Sequence, residues 1–298
     1  MKYFNFLIPV LVFLFISACP TGPMSGPSEK GQTITNVVEF SVLPERPPRN
    51  IYENTPFDIG LIVKNYDLED KNIMICVNDE YTDYFGGIPY GSCKNVLLEK
   101  AQQFKERIIP SEKEVFMPGE GGKYAYKNIR KDEDTKFTIT LRYPYTSVAF
   151  GSLCLATDYG QGCNIEENVQ LETKGPVKIT SLKKTIIPYG GNSIQLRLEM
   201  DIQNSGTGKV IEEKDVFSDQ ESEPLIGIHI KLPGIRSDFQ CSPLYNGKIK
   251  LFKDSITLTC VSDLELPQKM LTNPIEIKLT YGYQIEKVIN VKILKSSI

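Results

Sequence analysis

The sequence predicts an all-β protein made of two antiparallel β-sandwiches in tandem. Three observations carry this expectation. Apolar and polar residues alternate along most of the chain, turn-forming Pro-Gly, Asn-Gly and Gly-Gly pairs fall between these stretches, and two segments recur in the same order in the two halves. Period-two alternation marks strands with one wet face, and many short strands at close spacing mark sandwiches or barrels.

The chain begins with Met1, Lys2 and Tyr3, then an apolar run, "FNFLIPVLVFLFISA", that ends at Cys19. One positive charge, a short apolar core and small residues before a break form a secretory signal, here residues 1–18. As a helix, Tyr3 to Ala18 would extend about 24 Å at ~1.5 Å per residue. That is short of the ~30 Å hydrocarbon layer, so a permanent spanning anchor would be strained. Ile16-Ser17-Ala18-Cys19 resembles the lipobox of prokaryotic lipoproteins, which implies cleavage before Cys19 and a lipid on its sulfur. Retention of residues 3–18 as an anchor is the alternative. Residues 19–34, rich in Pro, Gly and Ser, carry no apolar period and read as a flexible tether.

About 280 residues remain, enough for two domains. The hydrophobic fraction, 41%, allows a sizeable core. The formal net charge is -3, and no long basic cluster occurs. Nucleic acid is therefore not expected as a partner, because the counterion-release term lacks a source.

Residues 35–174 form the first expected domain. In "FDIGLIVKN", Phe57, Ile59, Leu61 and Val63 share one face. "KNVLLEKAQQFKERI" (94–108) has helical character and is expected as a helical or irregular insertion ended by Pro110. "KFTITLRY" (136–143) is again a strand. Gly175-Pro176 in "LETKGPVKIT" marks the boundary, and residues 175–298 form the second domain. There "SIQLRLEMDIQN" puts Ile194, Leu196, Leu198, Met200 and Ile202 on one face. Further strands read from "LIGIHIKLPG" (225–234), "DSITLTCV" (254–261), "PIEIKLTYGY" (274–283) and "VINVKIL" (288–294). "FDIGLIVKN" matches "LEMDIQNSGTG", each ending in Asn before a polar turn. "FTITLRYPY" matches "IEIKLTYGY", each ending in Tyr-x-Tyr. Two such pairs in the same order suggest two copies of one sandwich plan.

The chain has seven cysteines. With Cys19 set aside for lipid, six remain, an even number in an extracytoplasmic chain. Sequence alone does not select their connectivity. They nevertheless fall into three local pairs, Cys76 with Cys93, Cys154 with Cys163 and Cys241 with Cys260. Each loop would contribute about 2–3.5 kcal/mol on the chain-entropy view. Zinc is not expected, since no CxxC occurs and His229 is the one histidine.

"EFSVLPERPPRNIYENTPFDIGLIVKN" (39–65), "LRYPYTSVAFGSLCLATD" (141–158) and "NPIEIKLTYGYQIEKVINVKIL" (273–294) resemble the Ig-like sandwich modules of prokaryotic surface proteins. That class includes the adhesion-related CARDB-like domains. The likeness is closer to tandem Ig-like secreted or membrane-tethered proteins of small-genome archaea. It covers nearly the whole mature chain and implies a place on the outer face of the cell membrane rather than an activity. The chain departs from the antibody-type pattern: it has no Trp, and its cysteine pairs are too close for a distant inter-sheet bridge.

No catalytic signature is found. His229, in "GIHIKL", is expected to point away from its flanking isoleucines. "MPGEGGKYAY" (117–126) fails the phosphate-loop pattern, with Met117 where Gly is needed and Tyr124 where Ser or Thr is needed. "NDEYTDYFGG" (78–87) offers oxygen ligands in Asn78, Asp79, Glu80 and Asp83, but not at EF-hand spacing, and reads as a solvated loop above a Cys76–Cys93 staple. Binding in such folds sits on loops carried by a rigid scaffold. Tyr81, Tyr84, Phe85 and Tyr90 are accordingly the expected partner-contact residues, tyrosine giving contact area at low entropic cost. The expectation is a lipid-anchored, non-catalytic binding or adhesion module of the envelope, with the membrane and an envelope protein as partners and no metal or cofactor. The alternatives are a structural component of a surface assembly and an envelope hydrolase.

Overall fold

The computed structural model describes residues 36–81, 85–105, 107–119, 121–158, 162–218 and 221–296. The signal, Cys19 and the tether lie outside them. The strands of the first half are β1 (Val38–Val42), β2 (Asn50–Tyr52), β3 (Ile59–Asn65), β4 (Lys71–Asp79), β5 (Ser92–Leu98), β6 (Gln102–Phe104), β7 (Arg107–Ile109), β8 (Ser111–Met117) and β9 (Glu133–Ala156). They continue as β10 (Glu166–Asn168), β11 (Leu171–Lys174), β12 (Val177–Gly190), β13 (Ser193–Asn204), β14 (Lys209–Ile211) and β15 (Leu225–Lys231). The last are β16 (Gln240–Ser242), β17 (Ile249–Lys250), β18 (Ser255–Glu265) and β19 (Met270–Leu294). Among the described residues there is no α-helix, only one 3-10 turn at Glu213–Asp215. The protein is all-β, and its sheets are antiparallel apart from the short parallel contact of β2 with β19.

Alternation sets which faces are buried. Ile194, Leu196, Leu198, Met200 and Ile202 on β13 are all buried, as are Phe57, Ile59, Leu61 and Val63 around β3. The helix expected over residues 94–108 is not formed. β5 runs antiparallel to β4 with Cys93 opposite Cys76, and β6 and β7 close a hairpin. The i, i+3, i+4 pattern there loses to the disulfide and the β4 ladder, which bury Val96 and Leu98 on one side of an extended strand.

Three sheets carry most of the molecule. One has the order β1-β3-β8 and a second β10-β12-β13-β18-β16. The third has the order β17-β15-β19-β9-β4-β5, joined at its margins by β2, β11 and β14. At its centre β9, of 24 residues, lies antiparallel to β19, of 25 residues, from Ala156 opposite Met270 to Glu133 opposite Ile293. The sheet order reads the same outward from this pair: a long strand, a flanking strand, an edge strand. The described residues form one compact unit with a continuous apolar core. The Gly175 boundary therefore does not separate the sheets, because β9 and β19, from either side of it, share one ladder.

At the middle of the ribbon Pro144 faces Gly282, Tyr143 faces Tyr283 and Tyr145 faces Tyr281. The two Tyr-x-Tyr segments thus meet across the strands. Tyr143, Tyr281 and Tyr283 are fully buried, with neighbouring ring centroids 5.8–6.4 Å apart in this cluster. The Tyr281 hydroxyl bonds Ser147 Oγ at 2.6 Å and accepts from the Val177 amide at 3.1 Å. The Tyr283 hydroxyl donates to Asn204 Oδ1 at 3.1 Å and accepts from the Gly208 amide at 2.9 Å. Gly175 (φ 112°) packs against this cluster: a Cβ there would lie 2.2 Å from Ser147 Oγ and 2.6 Å from the Tyr145 ring. Only glycine suits both the backbone and the space.

The repeated Asn has one role in both halves. Asn65 Nδ2 donates to the carbonyl of Glu69, and its Oδ1 accepts from the Asp67 amide, both at 2.9 Å. Asn204 Nδ2 donates to the carbonyl of Gly208 at 2.8 Å, and its Oδ1 accepts from the Gly206 amide at 3.2 Å. Each closes the turn leaving its strand, which is why a short amide ends both segments.

The three disulfides pair Cys76 with Cys93, Cys154 with Cys163 and Cys241 with Cys260. The first and third join residues directly opposite on paired strands, and the second ties the end of β9 to the loop before β10.

Candidate functional site

The loop after β4 distributes its side chains unevenly. Asp79 is buried: its Oδ1 accepts from the Tyr81 amide and from Thr135 Oγ1, both at 2.9 Å, and its Oδ2 accepts from the Tyr126 hydroxyl. Burial, reinforced by the Asp79 charge, pushes the Tyr126 phenol far above its ordinary value and keeps it a donor. Asp79 is thus spent on anchoring the loop. No group of three or more His, Cys, Asp or Glu suited to a metal occurs among the described residues.

Tyr81 and Phe85 pack on each other, ring centroids 5.1 Å apart, and against the core. They turn inward more than the sequence reading expects. Tyr84 and Asp83 lie outside the described residues. Tyr90 is 75% exposed, and it stands at the edge of a groove of about 520 Å³.

That groove lies on the outer face of the central sheet. Odd-numbered residues of β9 and β19 face the core, so the even-numbered ones are left for the groove floor: Thr138, Thr140 and Arg142 on β9, Gln284 and Glu286 on β19. Asn78 of β4 joins them. Arg142 is held in place, its Nε donating to Gln284 Oε1 at 2.8 Å and a terminal nitrogen donating to the Ser218 carbonyl. Asn78 Oδ1 is buried with no hydrogen-bond partner among the described residues.

The far wall comes from a departure between the two halves. β4 runs without a break from Lys71 to Asp79. In the second half the chain leaves the sheet after Ile211 and returns at Leu225. This excursion crosses the outer face at Gly282, where a Cβ would lie 2.6 Å from Val216 Cγ2 and 2.7 Å from Ile211 Cγ1. Lys248 and Lys214 bond Glu212 at 2.7 and 3.0 Å and hold its carboxyl below the usual carboxylate range. Ser222 then donates to Asp215 at 2.7 Å and accepts from the Glu212 amide at 2.9 Å. Glu221, Ser222 and Pro224 form the wall that results.

The groove therefore offers hydroxyls, amides, one guanidinium, the Lys209 ammonium, carboxylates, an apolar patch of Val210, Ile211 and Leu251, and an aromatic ring at the rim. Such a lining suits a hydroxyl-rich ligand that both donates and accepts. His229 is exposed on β15 opposite Lys278, outside this groove. A second cavity, about 410 Å³, is lined by Arg49, Glu80, Asp134, Lys136 and Lys292 beside the ends of β9 and β19. Of the three expected contact residues that are described, Tyr90 lines the groove and Tyr81 and Phe85 do not. Its floor went unread in the sequence because β4, β9 and β19 become neighbours only through long-range pairing.

No protein-family model matches the chain, and no curated protein matches it. Three disulfides point to an oxidising, extracytoplasmic compartment. No helix among the described residues is long and apolar enough to cross a membrane.

Proposed function

We propose that this is a lipid-anchored, non-catalytic binding module of the cell envelope, attached through Cys19 and built as two Ig-like sandwiches that share β9 and β19. The equivalent bonding of Asn65 and Asn204 and the facing Tyr-x-Tyr segments support the duplicated plan. The groove between Tyr90 and the residue 212–224 excursion is the ligand site, and its mixed hydroxyl, amide and aromatic lining is the observation that carries the reading. Sugar hydroxyls match such short donor-acceptor side chains, and Tyr90 gives a ring for a pyranose to lie on.

Binding of purified full-length protein to solubilised envelope polysaccharide tests this by calorimetry. Tyr90→Ala is expected to weaken binding by about tenfold, a typical loss for an exposed aromatic anchor. Tyr189→Ala, at a residue 57% exposed elsewhere on the surface, should leave it unchanged. Equal binding by the Tyr90→Ala protein would remove the groove from the account.

A further inference from the structure

The β6–β7 hairpin carries large apolar side chains that the fold does not use. All six strand residues are exposed, with Phe104 at 65%, Ile109 at 53% and Ile108 at 37%, and Leu97 on β5 stands 51% exposed. Gln102 pairs with Ile109 and Phe104 with Arg107, so Phe104 and Ile109 share one face and Ile108 takes the other. Each face of the hairpin therefore carries at least one large apolar side chain, set beside Gln102 and Arg107 on one face and Gln103 on the other. Lys100 and Lys105 are exposed beside it, the Lys105 ammonium 5.8 Å from the Phe104 ring centroid. A lone hairpin with no face on a core is marginal in water. Exposed apolar clusters of this kind mark a surface that something else covers.

The root of the hairpin fixes where it stands. Asn65 Nδ2 donates to the Glu99 carbonyl at 2.9 Å, Ser111 Oγ also bonds it, and the Ala101 amide donates to the Asp67 carbonyl at 2.6 Å. Asn65 has Val38 as its partner on one side and Ser111 on the other. At ~4.8 Å per strand, the point where the chain enters β1 is about 10 Å from this root. From Cys19 to Asn36 the chain reaches at most ~60 Å when fully extended. An anchor acting through that stretch holds the fold by the strand end that lies beside the hairpin's root. One lipid chain alone gives a marginal, reversible hold, and a second membrane contact makes it lasting.

We propose that the β6–β7 hairpin is a bilayer contact: Phe104, Ile108 and Ile109 enter the lipid interface while Lys100 and Lys105 meet anionic headgroups. Aromatic and aliphatic side chains flanked by lysine form the usual interfacial combination. This inference rests on the membrane-anchored reading above, and its test separates the two.

The chain has no Trp, so Phe104→Trp places a single emitter on the hairpin. Phe252→Trp, at a residue 64% exposed before β18, is the control. Each full-length, anchored protein is reconstituted on vesicles containing an anionic phosphoglycerol lipid, floated, and read for emission and for quenching by brominated acyl chains. Trp at position 104 is expected to shift to the blue and be quenched, less so on purely zwitterionic vesicles, while Trp at position 252 stays in water. Co-flotation with position 104 still in water would overturn the hairpin contact and leave anchoring intact. Failure to float would overturn both. A blue shift without vesicles that grows with protein concentration would assign the hairpin to a second copy of the chain and overturn the lipid contact.

Discussion

At Tyr283 burial and hydrogen bonding act on one hydroxyl. Burial dominates and pushes the phenol up to about 12 from an ordinary 10.0, against the downward pull of the bonds with Gly208 and Asn204. A folded-state value above the unfolded one means that the unfolded chain releases its proton first as pH rises. The stability from the neutral phenol is therefore complete below pH 10 and is lost as pH climbs through about 12. Tyr283→Phe is expected to cost about 1–2 kcal/mol at neutral pH, through the lost bonds, and to flatten the alkaline fall. Urea denaturation at a series of pH values reads both; an unchanged alkaline slope would show that Tyr283 does not carry it. The Asn and Tyr of the repeats were visible in the sequence because each role is local. A short amide closes its own turn, and a tyrosine sits at a fixed strand position. Their partners across the sheet were not visible.

Among the elements, β5 shows how a cross-link decides between two local patterns. Residues 94–108 have helix-like apolar spacing, yet Cys93 stands opposite Cys76 and draws the segment into the β4 ladder. The Cys76–Cys93 loop has a sequence separation of 17, and its removal by the double substitution Cys76→Ala, Cys93→Ala is expected to cost about 2–4 kcal/mol. Thermal and denaturant unfolding of that variant measure the cost. A loss well under 1 kcal/mol would mean that the ladder alone holds β5. Residues 136–143 and 274–283 read as two short strands. Pro144 and Gly282 face each other at the centre of one long ribbon, and its register runs through both without a shift.

At the scale of the molecule, periodicity was enough for the all-β class and for the buried faces of β3 and β13. The six cysteines fall into local pairs along the chain, and the disulfides follow those pairs, although spacing alone does not select them over the other connectivities. The union of both halves through β9 and β19 was out of reach, because the ladder joins residues more than a hundred positions apart and no local signal encodes such a pairing. The groove inherits that difficulty: Thr138, Arg142, Gln284 and Asn78 are ordinary outward strand residues until the sheet order brings them together. Tyr90 alone was legible, as an exposed aromatic in a loop. The break between Ile211 and Leu225 that builds the opposite wall has no counterpart in β4, and a repeat comparison hides what it cannot align.

The address of the protein links fold, groove and hairpin, and one measurement tests it directly: the intact mass, without reduction, of protein extracted from membranes of the expressing cell. The expected species starts at Cys19, carries the added mass of a diacylglyceryl group, and lacks six hydrogens for its three disulfides. A chain that still begins at Met1, with no lipid and with its thiols free, would contradict the extracytoplasmic, lipid-tethered account.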